Sequence, residues 1–363
     1  MATIVFVLDI ATRFDGTQLE TRPLGGTESS LIRATRELAR RQHEVTVYTN
    51  CDGPVEDGGV RWRPLSASRP ETCDLLVVVQ HPRLLGFIRR PKRRAIWVIW
   101  QSNHLKHYKQ IWRMWLYRPI PVLMSLHQVH RYSPFLPRRE PHILIPLGLP
   151  DDVRGRPPLV DPPPPRAIFA SRPSMRLREL VEIWAKSILP RVPEAVLDVY
   201  GVNPLMPGQD AWEHWAGSYL PADAPPAVRR SVRVHPTASR EQLIAAMRSS
   251  RVMLYLGHHL EAFCLSVAEA QALGLPAVVG PLGAVGERVI DGVSGFHRSD
   301  AQGFGEAAVS LLTDDGLWRR QHRAALRLQQ GISWSEYAGR FEAALLADRH
   351  PIFRSVLDVP GDD

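Results

Sequence analysis

Short apolar runs rich in branched residues recur along this chain, and helix-length segments separate them almost from end to end. Strands buried on both faces read as such runs, and parallel strands need a crossover of a dozen or more residues between them. The alternation therefore constrains the chain to an α/β class with parallel sheets. In the first half, strands are expected over residues 4–8, 44–49, 75–80, 95–100, 122–126 and 142–146. A helix over 29–41 carries Leu31, Ala34 and Leu38 on one face and arginines on the other, and Gly25-Gly26-Thr27 leads into it. Strand, glycine turn, helix, strand is the order of a mononucleotide-type half.

A second series begins at 167–170 and continues through 196–200, 252–255 and 277–279, with helices over 177–188, 241–249 and 265–273. Between the two series, residues 151–165 read DDVRGRPPLVDPPPP, which proline bars from a helix interior or a central strand. The expected organisation is a Rossmann-like domain over 1–150, a proline-rich linker over 151–165 and a second Rossmann-like domain over 166–330. The last segment, 331–363, follows. With 363 residues, 44% of them hydrophobic, the chain has the material for two cores.

A net charge of +8 suits anionic partners, and charge alone does not choose among nucleotides, lipid head groups and nucleic acid. Cys51, Cys73 and Cys264 are odd in number and lack metal-ligand spacing, so free thiols in a reducing setting are expected. The 14 histidines form no cluster with ligand spacing, and no metal site is expected. The opening residues lack a basic leader region, and no later run approaches the ~18 apolar residues of a membrane span. A cytoplasmic protein is expected, peripheral at the inner face of the membrane at most.

The segment 261–280, EAFCLSVAEAQALGLPAVVG, holds two carboxylates around an apolar interior. Glu261 falls in a loop at the carboxyl end of the strand 252–255, where open α/β sheets bind ligands and where a helix start offers free N–H groups to phosphate. Glu269, among Val267, Ala268, Ala270 and Ala272, needs a partner with hydroxyls or N–H groups, because an unpaired carboxylate there is costly.

At Glu261 and Glu269 the sequence resembles the retaining glycosyltransferases of the GT-B fold, family 4. In that family two glutamates separated by seven residues bracket a nucleotide-sugar, the first on hydroxyls of the donor sugar and the second on the ribose. Ala272-Leu273-Gly274-Leu275-Pro276 matches the family's helix end. Gly25-Gly26-Thr27-Glu28 resembles its first glycine turn, where glycine lets the backbone approach a diphosphate or the acceptor closely, Gly283 to Phe296 the segment closing its second domain, and Ser333-Trp334 the start of the helix that crosses back to the first. The resemblance implies two Rossmann-like domains with parallel sheets facing a central cleft. It implies a UDP-, GDP- or ADP-sugar donor held mainly on residues 166–330, a hydroxyl acceptor against the first domain with Gly25 and Gly26 at the cleft, and no metal requirement. Glu261 would act at the reacting sugar, and Phe263, Cys264, Leu265 and Glu269 would line the donor.

Two slots depart from the family pattern. After the strand 167–170 the family places an arginine and then a lysine on the donor diphosphate. Arg172 fits the first, Met175 stands in the second, and Arg176 follows it with a guanidinium suited to phosphate. The family's histidine near the reacting sugar has Trp100 or Gln101 in its slot, and His104 is the candidate replacement. Residues 104–118, HLKHYKQIWRMWLYR, interleave aromatics and cations beside the basic run 89–94, a pattern that suits an anionic membrane surface. A packed helix with its tryptophans in the core fits the same residues and ranks slightly ahead. No nucleic-acid motif accompanies them, so nucleic acid is not an expected partner. Two other activities share the scaffold: a sugar-nucleotide epimerase or phosphorylase, and a silent nucleotide-sugar or nucleic-acid binding module.

Overall fold

The computed structural model describes residues 1–102, 105, 107–137, 143–201, 224–235 and 238–347. The chain divides into two compact units, Met1–Gly148 with the segment from Trp334 onward, and Leu149–Ser333.

Strands of the first unit are β1 (Thr3–Val7), β2 (Glu44–Thr49), β3 (Val55–Asp57), β4 (Val60–Pro64), β5 (Thr72–Val79), β6 (Arg90–Trp97), β7 (Ile120–Leu123) and β8 (Ile143–Leu144). Among the described residues they form one sheet in the order β3-β4-β2-β1-β5-β6-β7-β8. Only the β3–β4 pair is antiparallel, and β1 registers Ile4 against Val45 on one side and Leu75 on the other. Helix α1 (Gly26–Arg40) buries Leu31, Ile32, Ala34 and Leu38, the face that the 3.6-residue period assigns to it. Helix α2 (Tyr108–Tyr117) and α3 (Leu126–Arg131) follow β6 and β7.

Several expected boundaries shift. The strand expected over 95–100 runs instead from Arg90 to Trp97, because the basic run pairs with β5, Arg90 opposite Thr72 and Arg94 opposite Leu76. Three of its cations are engaged: Lys92 meets Asp74 at 2.7 Å, Arg93 donates to the Leu345 carbonyl at 3.0 Å and Arg94 to the Leu85 carbonyl at 3.1 Å. Trp100 thus lies beyond the strand. The strand expected over 122–126 ends at Leu123, since Ser125 caps α3 by accepting the Gln128 N–H at 3.2 Å.

The core reading of the α2 tryptophans is overturned. Helix α2 buries Met114, whereas Trp112 is 51% exposed, Trp115 49% and Leu116 63%. Arg113 stacks on the Trp112 ring at 4.3 Å, and the Trp115 indole donates to the Phe135 carbonyl at 2.9 Å.

In the second unit, β9 (Gly148–Leu149) at the boundary pairs with β16 (Ile332–Ser333). The main sheet takes the order β12-β11-β10-β13-β14-β15, all parallel. Its members are β10 (Arg166–Ala170), β11 (Val196–Tyr200), β12 (Val232–Val234), β13 (Val252–Tyr255), β14 (Ala277–Val279) and β15 (Gly295–His297). Helices are α4 (Leu177–Ile183), α5 (Pro226–Ser231), α6 (Arg240–Arg248), α7 (Leu265–Ala272), α8 (Ala301–Thr313) and α9 (Asp315–Leu328). The single helix expected over 177–188 changes to a π turn at Trp184–Ile188. The proline-rich segment is fastened to this unit: the Leu159 N–H donates to His322 at 2.9 Å and Arg154 to the Gln330 carbonyl at 3.1 Å. Helix α10 (Trp334–Leu345) belongs to the first unit, where Phe341 stacks on Phe6 at 5.9 Å and Tyr337 lies 5.8 Å from Trp97.

Candidate functional site

In the second sheet β10 lies between β11 and β13, so successive connections depart from it in opposite directions. The carboxyl ends of β10 and β13 are therefore a topological switch point, the place where open α/β sheets leave a crevice. Arg172 sits in the loop after β10 and is exposed, and Glu261 sits in the loop after β13. The fully buried Tyr255, last residue of β13, donates its hydroxyl to Glu261 Oε1 at 2.6 Å. Burial raises the Glu261 carboxyl above its ordinary value, against which the Tyr255 hydrogen bond and the Arg172 charge pull it down. The loop is pinned by the Glu261 N–H on the His258 carbonyl and by the Ala284 N–H on the Glu261 carbonyl. Gly283, at φ +67°, passes so close that a Cβ there would lie 2.5 Å from the His258 carbonyl oxygen.

Helix α7 starts from Cys264, which holds a left-handed conformation at φ 67°. Phe263 and Cys264 are buried and Leu265 is half-buried. The first N–H groups of such a helix have no carbonyl within it to bond, which makes its start receptive to phosphate. Further along α7, the Glu269 carboxylate receives the Arg240 guanidinium at 3.1 Å, and Arg240 is in turn gripped by both oxygens of Asp152 at 2.5 and 2.7 Å. Burial works against the charge on Arg240, yet the two carboxylates raise its basicity and keep it a cation. Sequence reasoning identified Glu269's need for a partner and missed both Arg240 and Asp152. No local pattern points to them, because the partners lie 29 and 88 positions apart in the chain.

Arg176 is already engaged: Nε donates to Glu179 at 2.8 Å and Nη1 to the Leu256 carbonyl at 3.0 Å. With Lys186 and Arg298 it lines a cavity of about 400 Å³ that includes neither Glu261 nor Glu269. A second cation absent from the sequence reading is Arg288, stacked 4.4 Å over the Phe263 ring, with its Nε buried and without a partner among the described residues.

In the first unit, Gly25 caps α1 and Gly26 is its first residue. A Cβ on Gly25 would lie 2.5 Å from Glu28 Oε2, so the glycine makes room for the chain's own buried carboxylate. An anion beside Glu28 would be repelled, which disfavours a diphosphate at this turn. His104 lies outside the described residues. Among the described residues no group of three or more His, Cys, Asp or Glu side chains is arranged to hold a metal ion.

Known structures share this fold. Sucrose-phosphate synthase from Thermosynechococcus elongatus superposes with a TM-score of 0.69 at 15% identity, over 96% of this chain and 100% of that one. The Anabaena protein HepE, solved with UDP and glucose, gives 0.68 at 13% identity over 96% and 100%. The architecture is that of the GT-B glycosyltransferases. By sequence, the chain is 34% identical over 113 residues to the D-inositol 3-phosphate glycosyltransferase of Xylanimonas cellulosilytica, a match that takes in 31% of this chain and spans 27% of that relative's length. Residues 185–327, which carry Glu261, Glu269, Arg240 and Arg288, match the family of glycosyl transferases group 1.

Proposed function

We propose that the protein is a glycosyltransferase that moves a sugar from a nucleotide-sugar donor to a hydroxyl acceptor with retention of anomeric configuration. The observation that carries this reading is the pair Glu261 and Glu269 on one unit, the first held by Tyr255 at the switch point and the second by Arg240 along α7. Two buried-side carboxylates accept hydroxyls of a sugar at one end and of a ribose at the other, and the α7 start lies between them in sequence for the diphosphate. In the transfer the bond from the anomeric carbon to the diphosphate breaks, the acceptor oxygen bonds that carbon, and the hydroxyl proton passes to the departing diphosphate. The leaving group gains negative charge, which Arg172, Arg288 and the α7 N–H groups would offset. Arg176, bonded elsewhere, is left out of this role. HepE, whose structures hold UDP with glucose and UDP-glucose, makes a UDP-sugar the first donor to test.

The acceptor is held on the first unit and is presented at an anionic membrane surface. Trp112, Trp115 and Leu116 leave α2 exposed beside Lys109, Arg113 and Arg118, the pairing of apolar rings and cations that settles at a charged interface. Among the described residues no helix is long and apolar enough to cross a membrane.

A thermal-shift panel of UDP, GDP, ADP and their sugars tests the donor reading. A ligand at 100 times its Kd stabilises by about 2.7 kcal/mol. Glu269→Gln is expected to lose most of that stabilisation with a UDP-sugar, and Glu261→Ala to retain it with UDP while losing turnover. Failure of every nucleotide and nucleotide-sugar to stabilise the wild type rules the reading out.

A further inference from the structure

The first sheet has its own switch point, at the carboxyl ends of β1 and β5, and one tryptophan there is held in an unusual way. Trp100 is 43% exposed, yet three hydrogen bonds fix it. Its indole Nε1 donates to Thr27 Oγ1 at 3.0 Å, its backbone N–H donates to Gln80 Oε1 at 2.9 Å, and its carbonyl accepts from Gln128 Nε2 at 2.6 Å. Both glutamines are fully buried, and Gln80 holds a left-handed backbone at φ 67°. Gln128 also donates to the Val98 carbonyl and accepts the Met124 N–H. The His81 ring meets the indole edge to face at 5.7 Å.

Burying amides and holding a side-chain-bearing residue in the left-handed region both cost free energy. Here they fix a ring that contributes little to the core. Trp97, three residues earlier, shows the contrary case: it is fully buried, and its indole N–H has no partner among the described residues. Core packing therefore does not explain the care with which Trp100 is set. The buried Glu28 carboxylate follows Thr27 in the chain and adds a hydroxyl acceptor to the same turn.

We infer that Trp100 is a stacking platform for a six-membered polyhydroxylated ring, a pyranose or a cyclitol, which binds through its face of axial C–H bonds. The negative π face of an indole attracts such weakly positive hydrogens, and a rigid ring loses no side-chain freedom on binding. Thr27 sets the indole plane, and Gln80 and Gln128 act as positioning residues for the backbone beneath it. The inference rests on the transfer reading only in naming this ring the acceptor; the binding itself needs no donor.

The test is saturation-transfer NMR on the full chain without nucleotide, using methyl β-glucopyranoside, methyl α-mannopyranoside and myo-inositol as probes and glycerol as the ring-free control. At least one ring probe is expected to show transfer at its C–H protons several-fold above glycerol. Which probe does so separates pyranose from cyclitol. Trp100→Ala should weaken that probe about tenfold, Trp100→Phe less, and Thr27→Val, which frees the indole, about threefold. UDP stabilisation should be unchanged in all three variants. Ring probes that match glycerol on the wild type, or transfer that persists in Trp100→Ala and Thr27→Val, overturn the inference. A protein that binds rings through Trp100 but no nucleotide-sugar would refute the transfer reading alone.

Discussion

Removal of one buried hydroxyl should move the acid limb of the activity. Tyr255 donates to Glu261 at 2.6 Å from a fully buried position, and burial raises its own ionisation far above the ordinary value, so it remains a donor throughout the working range. Burial raises the Glu261 carboxyl, and the Tyr255 hydrogen bond opposes that rise. In the proposed transfer the ionised carboxylate is the form that accepts hydroxyls of the donor sugar. Activity is therefore present above the folded-state value and is lost as pH falls through it. Tyr255→Phe keeps the ring, including its neighbour Phe169 at 6.2 Å, and deletes the stabiliser of the charged form. A hydrogen bond to a charged group contributes about 1.5 to 3 kcal/mol, and about 1.4 kcal/mol corresponds to one pH unit.

The acid limb of kcat/KM in Tyr255→Phe should accordingly lie about 1 to 2 pH units higher than in the wild type. Stability carries the same sign. A carboxyl whose folded-state value is raised costs stability while ionised, and that cost disappears as pH falls through the folded value. The deficit of the variant should thus be largest at neutral pH and shrink in acid. The assay is a pH profile of initial rates at subsaturating donor, with denaturant unfolding of both proteins at neutral and acid pH. An unmoved acid limb, with the variant folded, refutes the assignment of Glu261 as the ionised group that activity requires.

Arg240→Met should weaken UDP about tenfold by calorimetry, because it strips the Glu269 carboxylate of the cation 3.1 Å away, and unchanged affinity would show that this pair does not position Glu269. Cys264→Gly should be more stable than Cys264→Ala by about 1 kcal/mol in denaturant unfolding, since glycine alone accepts φ 67° without cost; the reverse order would mean that the position is unstrained. Vesicles rich in anionic lipid should sediment the wild type at low salt and less of it at high salt, and replacing Trp112, Trp115 and Leu116 with serine should leave the protein in the supernatant. Wild-type protein that stays in solution at low salt removes the membrane from the reading.

What the sequence made legible is what local pattern encodes. Strands β2, β11, β13 and β14 fall where the apolar runs end, because parallel strands covered on both faces admit few polar residues. The short edge strands β12 and β15 escaped notice, since Val232–Val234 and Gly295–His297 are too brief to show a period. Strand β6 was misplaced for a different reason: its first residues are arginines, lysine and proline, whose long stems lie along the sheet while their charges reach Asp74 and the Leu345 carbonyl.

The site divides along the same line. Glu261 and Glu269 were visible because their positions next to a strand end and inside an apolar helix are local facts. Their partners were not, because Tyr255 resembles any buried strand residue and Arg240 any helix-start cation until the fold brings them within 3.1 Å. The same holds for the α2 tryptophans, which a helical period cannot assign to core or solvent when cations and rings alternate, and which the structure places half in solvent. Trp100 is the sharpest case. In the sequence it ends an apolar run and marks a departure at the slot of the family's histidine, and only Gln80, Gln128 and Thr27, drawn from 20, 28 and 73 positions away, turn it into a fixed ring at the end of the sheet. A long-range set of polar groups spent on one exposed side chain is a signal of binding that composition and period do not carry, and it arises only after the strands have been put in order.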